Sequence, residues 1–371
     1  APFDMVRALL LSVLLVSGCS SVVGIVEPIA QDDPLPEAAP ETVGLDLSYL
    51  NRVAHHFETE TDHKLHSMLV VRRGVLVLER YYNGFGRDNP HDLRSATKSI
   101  TSLLTGIAIE RGAVSGVETP LMDYLSSAYP DVRDKDGILL HHLLTMSSGL
   151  DCDDGDRSTR GQEDRMYRSD DWVAYFLSLQ QTHAPGNTTR YCTGGVVALG
   201  EAIARGAGQD FATLADDALF GPLGIRNYRW ARFDDGRKVD TGGHLLLTPQ
   251  GMAKVGMLVL NEGRWGTEQV VPAAWIERSV QPRTRINGEP YGYLWWRNTL
   301  RYGGPDGEAV DVISARGNGG QTIFVVPEYD LVAVFTAGYY NSSDRQIIYN
   351  TFYNAVLTTV PELQAYIPNA P

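Results

Sequence analysis

The chain has 371 residues, 43% of them hydrophobic and 21% charged, with 45 acidic against 32 basic side chains and a formal net charge of −13. That balance excludes nucleic acid and anionic membrane surfaces as electrostatic partners. The apolar content supports a sizeable core, and no apolar run beyond the N-terminal segment is long enough to span a bilayer.

Met5-Val6-Arg7 is a short basic start, Ala8 to Val16 is an apolar stretch too short to cross a membrane, and Val16-Ser17-Gly18-Cys19 follows with small residues. This resembles a bacterial lipoprotein signal. The resemblance implies that residues 1–18 are a signal peptide and that Cys19 bears the lipid. Ser20 lacks the inner-membrane retention aspartate, so the expected location is the bacterial cell envelope, anchored to the outer membrane and facing the periplasm. Ile29 to Pro40 is rich in proline and acid without a periodic apolar face, so 19–40 is expected to be an extended tether. Residues 41–371 then form the domain.

Leu47 to Thr59 has a helical pattern, and Met68–Val71 and Val75–Tyr82 alternate as strands around Arg72-Arg73-Gly74, a hairpin. Ser95-Ala96-Thr97-Lys98 opens the apolar-periodic run Ile100 to Gly112. Residues three apart on a helix share a face, so Lys98 can reach Ser95. Lysine is scarce here (Lys64, Lys98, Lys135, Lys238, Lys254), and a lysine in the first turn of a buried helix is costly for structure alone. A serine made nucleophilic by a neighbouring amine explains it. Only a neutral amine accepts the Ser95 proton, and burial is expected to lower the Lys98 pKa.

Further along, an acidic loop covers Asp151–Asp156, Thr322–Val326 and Leu331–Thr336 form a second hairpin around Pro327–Asp330, and Asp344 to Thr358 is a closing helix. Cys152 and Cys192 are an even pair left for an oxidising compartment, which makes a disulfide between them the expectation. No Gly-x-Ser-x-Gly elbow, His-Glu-x-x-His, Cys-x-x-Cys or phosphate loop occurs, so no metal and no cofactor is expected. The pairs His55-His56 and His141-His142 splay apart on a helix and are assigned surface or capping roles.

His91 through Ile100 resembles the nucleophile motif of the serine β-lactamase and penicillin-binding-protein superfamily, in the branch with class C β-lactamases, esterases and 6-aminohexanoate-dimer hydrolases. Leu143-Leu144-Thr145-Met146-Ser147-Ser148-Gly149-Leu150, Tyr191-Cys192-Thr193, Gly242-Gly243-His244-Leu245 through Trp275, Tyr291 through Trp296, and Gly317-Asn318-Gly319-Gly320-Gln321 are similar to its later blocks, in order. The resemblance implies an α+β (α/β) fold of β-lactamase type. An antiparallel sheet from both chain ends (about 41–94 and 240–371) is flanked by helices, and a helical lobe (about 95–239) is inserted. It also implies an acyl-enzyme mechanism with Ser95, Lys98 and Tyr191 as catalytic residues; Tyr191 needs an adjacent ammonium to act as a base. A backbone N–H near Gly320 or Gln321 would join that of Ser95 as oxyanion donors, with Thr193 and Asn318 beside the substrate.

Two positions depart from the pattern. Thr193 stands where the family usually has Asn, and the third motif has no Lys or His at its head. The expected substrates are therefore small esters or linear amides. The alternatives are a β-lactamase or D-Ala-D-Ala carboxypeptidase using another cation, and a catalytically inactive lipoprotein that binds a ligand or the cell wall.

Overall fold

Strands β1 (Leu65–Arg72) and β2 (Val75–Tyr81) form the early hairpin. The remaining strands of the sheet come from the far end of the chain: β3 (Thr284–Ile286), β4 (Glu289–Tyr291), β5 (Trp296–Tyr302), β6 (Glu308–Gly317), β7 (Gln321–Val326) and β8 (Leu331–Ala337). In this computed structural model, which describes residues 31–302 and 307–364, they make one antiparallel sheet in the order β3-β4-β5-β6-β7-β8-β1-β2. Both chain ends meet at β1 and β8, in the register Val70↔Ala333.

β8 is buried at every position because both faces of the sheet are covered. Its side chains alternate between two cores, as the two-residue period of a strand requires. Val332 and Val334 share one core with Leu69, Val71, Ile323 and Val325; Leu331, Ala333 and Phe335 share the other with Met68, Val70, Phe324 and Val326. Helix α1 (Ser48–Thr59) and the C-terminal helical segment starting at Gln346 cover the second face, where Phe324 stacks on Phe352 with ring centroids 3.9 Å apart. The first face receives α2 (Thr97–Glu110) and α4 (Pro249–Leu260), and against α2 lies α3 (Thr193–Ala207). Between the sheet-forming ends the chain is mainly helical, with a small three-stranded sheet of His91–Asp92, Leu245–Leu247 and Tyr228–Trp230. The α+β architecture with an inserted helical lobe is as the sequence predicts.

The described part of the expected tether, Gln31–Pro40, is packed on the domain rather than extended away from it. Asp32 accepts the N–H groups of Arg226 and Asn227, Asp33 pairs with Arg226, and Leu35 is buried. Leu76 N–H donates to Pro36 O, and Ala38 N–H to Leu76 O, so this segment covers the outer edge of β2. The signal peptide and Cys19 lie outside the described residues.

Candidate active site

Ser95 sits on a sharp turn between two fixed elements. His91–Asp92 pairs with Leu246 and Leu247, a 3-10 turn covers Arg94–Ala96, and α2 starts at Thr97. Arg94 has φ +49, a left-handed conformation costing about 1–2 kcal/mol outside glycine. Asp92 holds that turn: Oδ1 accepts the Arg94 N–H at 2.9 Å, while Oδ2 pairs with Arg94 Nε at 3.1 Å and His244 Nδ1 at 2.8 Å. Ser95 is left half-buried at the mouth of a cavity of about 370 Å³.

Lys98 is 1% exposed, and its three N–H bonds are all donated: to Ser95 Oγ at 3.1 Å, Thr193 Oγ1 at 2.9 Å and the Gly242 carbonyl at 2.6 Å. Burial is the largest single influence and disfavours the ammonium. Attraction from Tyr191, Asp154, Glu163 and Asp240 together outweighs it, so the pKa lies above the ordinary lysine value. The expected lowering is thus reversed, because acids surround the amine. The resting Lys98 is an ammonium.

Two of those acids are held above the usual carboxylate range. Burial, then Glu163, push Asp154 up to about 7; burial pushes Asp240 to about 7 against the pull of His244 and Lys98. Asp154 Oδ2 accepts both the Thr193 N–H (2.8 Å) and its hydroxyl (2.7 Å). Glu163 Oε2 is farther from that hydroxyl, at 3.2 Å, and a hydroxyl has only one proton to give. Asp240 Oδ1 accepts the N–H groups of Gly242 and Gly243.

The Cys152–Cys192 disulfide is formed, with Cα atoms 5.5 Å apart. It ties the acidic loop to the start of α3, and Asp154 N–H donates to Tyr191 O at 2.8 Å. Tyr191 presents its ring to Lys98, with Nζ 4.9 Å from the centroid, and stacks on Trp296. Its hydroxyl makes no hydrogen bond to Ser95 or Lys98 among the described residues. Tyr191 lines a second groove of about 730 Å³, which shares Asp154, Gly155, Asn318 and Asn341 with the Ser95 cavity.

The third motif meets the Ser95 turn and cavity at Gly317 and Asn318 rather than at Gly320 and Gln321. A Cβ on Gly317 would lie 2.0 Å from Leu93 O and 3.2 Å from Arg94 Cβ, so Gly317 abuts the nucleophile turn. Asn318 lines the Ser95 cavity, its side chain paired with Asn341. Gly320, at φ +104, closes the tight turn by donating to Gly317 O, and Gln321 is fully buried with its amide tied to Ala337. Gly320 and Gln321 are not on the cavity, because the turn carries β7 away from it. Arg316 is on the wall of the second groove, held by Glu289 at 2.7 Å and Asn298 at 2.8 Å. The basic side chains on the Ser95 cavity are instead Arg94, Arg157 and His244, with Arg94 Nη1 3.5 Å from His244 Nε2. The Asp92 hydrogen bond raises the His244 pKa, burial opposing it.

Sequence reasoning missed Asp154, Asp240, Glu163 and His244 at this site; only the position of Asp154 inside the acidic loop that also holds Cys152 hinted at one of them. His55 and His56 are exposed and His142 Nδ1 accepts the Leu139 N–H at a helix start, as expected, whereas half-buried His141 instead meets the Tyr293 hydroxyl across the fold. A cavity of about 770 Å³ along α3 shares no residue with the Ser95 cavity, and its Lys238 is locked to Asp171 and Tyr129.

An α+β fold of this topology, with Ser95 and Lys98 meeting at a cavity between its elements, is that of the β-lactamase-type hydrolases. The family model for Beta-lactamase matches residues 52–350, and the chain belongs to that family. It is 23% identical over 309 residues to a 6-aminohexanoate-dimer hydrolase of Paenarthrobacter ureafaciens, covering 75% of this chain and 72% of that one. Among solved structures it is similar to a Bacillus anthracis protein provisionally called a 6-aminohexanoate-dimer hydrolase, with TM-score 0.72, 19% identity and 90% of each chain covered. It is also similar to a penicillin binding protein of Bacillus halodurans, with TM-score 0.63, 17% identity, and coverage of 82% of this chain and 99% of that one.

Proposed function

We propose that the protein hydrolyses small esters or linear amides through an acyl-enzyme on Ser95. The observation that carries this reading is the buried Lys98 amine held 3.1 Å from Ser95 Oγ. Ser95 attacks the carbonyl carbon, Lys98 handles its proton, and Tyr191 sits against the Lys98 charge to assist transfer to the leaving group. The N–H groups of Ser95 and Asn318 are our choice of oxyanion donors, since Gly317 brings that backbone against the Ser95 turn. The relative named as a 6-aminohexanoate-dimer hydrolase supports linear amides. A β-lactamase or D-Ala-D-Ala carboxypeptidase keeps one argument, the Arg94 and Arg157 guanidinium groups on the Ser95 cavity, which would hold a substrate carboxylate. From the sequence of residues 5–19 we place the protein in the bacterial envelope, lipidated at Cys19.

Intact mass after exposure to a fluorophosphonate, for wild type and Ser95→Ala, tests the assignment. A single adduct lost in the variant supports it, and turnover of p-nitrophenyl esters, linear amides and β-lactams then ranks the substrates. Folded wild type without an adduct would favour the inactive, ligand-binding reading.

A further inference from the structure

Resting on that reading of Ser95, we propose that Asp154 is a positioning residue which acts through the Thr193 hydroxyl to take a proton from Lys98, freeing the amine to accept the proton of Ser95. An ammonium with three donated bonds has no lone pair, so the resting arrangement cannot act as a base. Of its three acceptors, Ser95 is the group to be deprotonated and the Gly242 carbonyl only accepts. Thr193 Oγ1 alone can both accept and pass on a proton, and its own hydrogen points to Asp154 Oδ2 at 2.7 Å.

The step is balanced. Lys98 Nζ gives a proton to Thr193 Oγ1 as Thr193 gives its own to Asp154 Oδ2, so an ammonium and a carboxylate become an amine and a carboxylic acid. The Ser95 O–H bond then breaks as the bond from Oγ to the substrate carbonyl carbon forms, and that proton goes to the Lys98 lone pair. When the tetrahedral adduct collapses, Lys98 returns a proton to the leaving oxygen or nitrogen. At rest the transfer is uphill, since Lys98 holds its proton more tightly than Asp154 would; burial, which disfavours two desolvated charges, narrows that gap.

Asp154 is built for this role. Among the described residues its buried Oδ1 has no hydrogen-bond partner, so one oxygen remains unstabilised as a carboxylate. Glu163, Lys98 and Tyr167 face it, and Glu163 adds repulsion to the ionised form. Its position is fixed by the Cys152–Cys192 bond and by the hydrogen bonds of its N–H to Tyr191 and of its carboxylate to Thr193. The family's asparagine at position 193 would lack the relaying hydroxyl.

The experiment is the pH profile of p-nitrophenyl acetate acylation for full-length wild type, Asp154→Asn, Thr193→Val and Thr193→Ser, with thermal melts as the folding control. Asp154→Asn and Thr193→Val should each lower kcat about 10²-fold or more and abolish the rise in rate through neutral pH, with the double variant no slower than either. Thr193→Ser should stay within a few-fold of wild type. A folded Asp154→Asn within threefold of wild type and with an unchanged profile would overturn the relay while leaving Ser95 as nucleophile. Infrared difference titration of Ser95→Ala against Ser95→Ala/Asp154→Asn decides the matter without turnover. A carboxyl band that grows as pH falls through neutrality and disappears with Asp154 supports the proposal, and an Asp154 that stays ionised down to about pH 5 overturns it as too weak a base to take the proton. Absence of the fluorophosphonate adduct in wild type would be failure of the nucleophile reading instead.

Discussion

The Gly242 carbonyl oxygen lies 2.6 Å from Lys98 Nζ, the shortest of the three contacts that the amine makes. A carbonyl only accepts, so this bond keeps one proton on nitrogen throughout and fixes the rotation of the amine. The peptides on both sides of Gly242 are themselves held, the Gly242 and Gly243 N–H groups both donating to the fully buried Asp240. Asp240, Gly242 and Lys98 therefore form a chain that aims the remaining two N–H bonds at Ser95 and Thr193.

Lys98→Ala removes the group that handles the Ser95 proton, so fluorophosphonate labelling should slow by about 10²–10⁴-fold. It also leaves Asp154, Glu163 and Asp240 without their shared counter-charge. The variant should therefore lose more stability at pH 8, where Asp154 and Asp240 ionise, than at pH 5. Labelling rates from mass spectrometry and melts at the two pH values check both parts; an unchanged labelling rate would remove Lys98 from the mechanism.

Asp240 predicts a pH dependence of stability. Burial raises its carboxyl to about 7, so the folded chain binds that proton more tightly than the unfolded chain does. The contribution is fully present below the unfolded carboxylate pKa, about 4, and is lost as pH rises through 7. It is on the order of 2–4 kcal/mol. Asp154 adds a change of the same sign, while His244 and Lys98, which face Asp240, moderate it. Asp240→Asn should flatten urea-unfolding free energies between pH 4 and 7. If the wild-type slope persists in the variant, the titrating group lies elsewhere.

What could be read from the sequence was local. Ser95 and Lys98 meet because three-residue spacing on a helix dictates it, and both hairpins follow from alternation and turn residues. The Lys98 environment was not legible, since the acids that reverse its pKa arrive from a distant loop and from the segment preceding Gly242. The glycine-rich run after Arg316 has few side chains to fix its register, so only the contact of Gly317 with Leu93 O shows which residue faces Ser95. Proline and acid made residues 31–40 look like a linker, whereas Asp32 and Asp33 are spent on hydrogen bonds and Leu35 on the core.

The Cys152–Cys192 bond closes a loop with a sequence separation of 40, worth about 4 kcal/mol in unfolded-chain entropy. It also clamps Asp154 to Thr193. Cys152→Ser/Cys192→Ser should therefore lower the denaturation midpoint and, at a temperature where the protein remains folded, slow ester hydrolysis roughly tenfold as the clamp loosens. Full activity in the folded variant would leave the disulfide a role in stability alone.

Gly317 and Gly320 separate the two placements of the oxyanion segment. A Cβ at Gly317 would stand 2.0 Å from Leu93 O, and a backbone carbonyl beside the nucleophile turn cannot swing aside as a side chain can. Gly317→Ala must push the end of β6 away from Leu93 and Arg94, carrying Asn318 out of reach of Ser95. A displacement of about 1 Å at such a site costs on the order of 10²-fold in rate, with about 1–3 kcal/mol of stability lost to overpacking. Gly320→Ala is strained by its φ of +104, and its Cβ would meet Ile348 Cγ1 at 3.0 Å and Ala337 Cβ at 3.2 Å, away from the cavity. It should lose stability while the folded fraction keeps its turnover. Steady-state kinetics alongside urea denaturation distinguishes the two variants, and a larger catalytic loss in Gly320→Ala than in Gly317→Ala would return the oxyanion donor to Gly320.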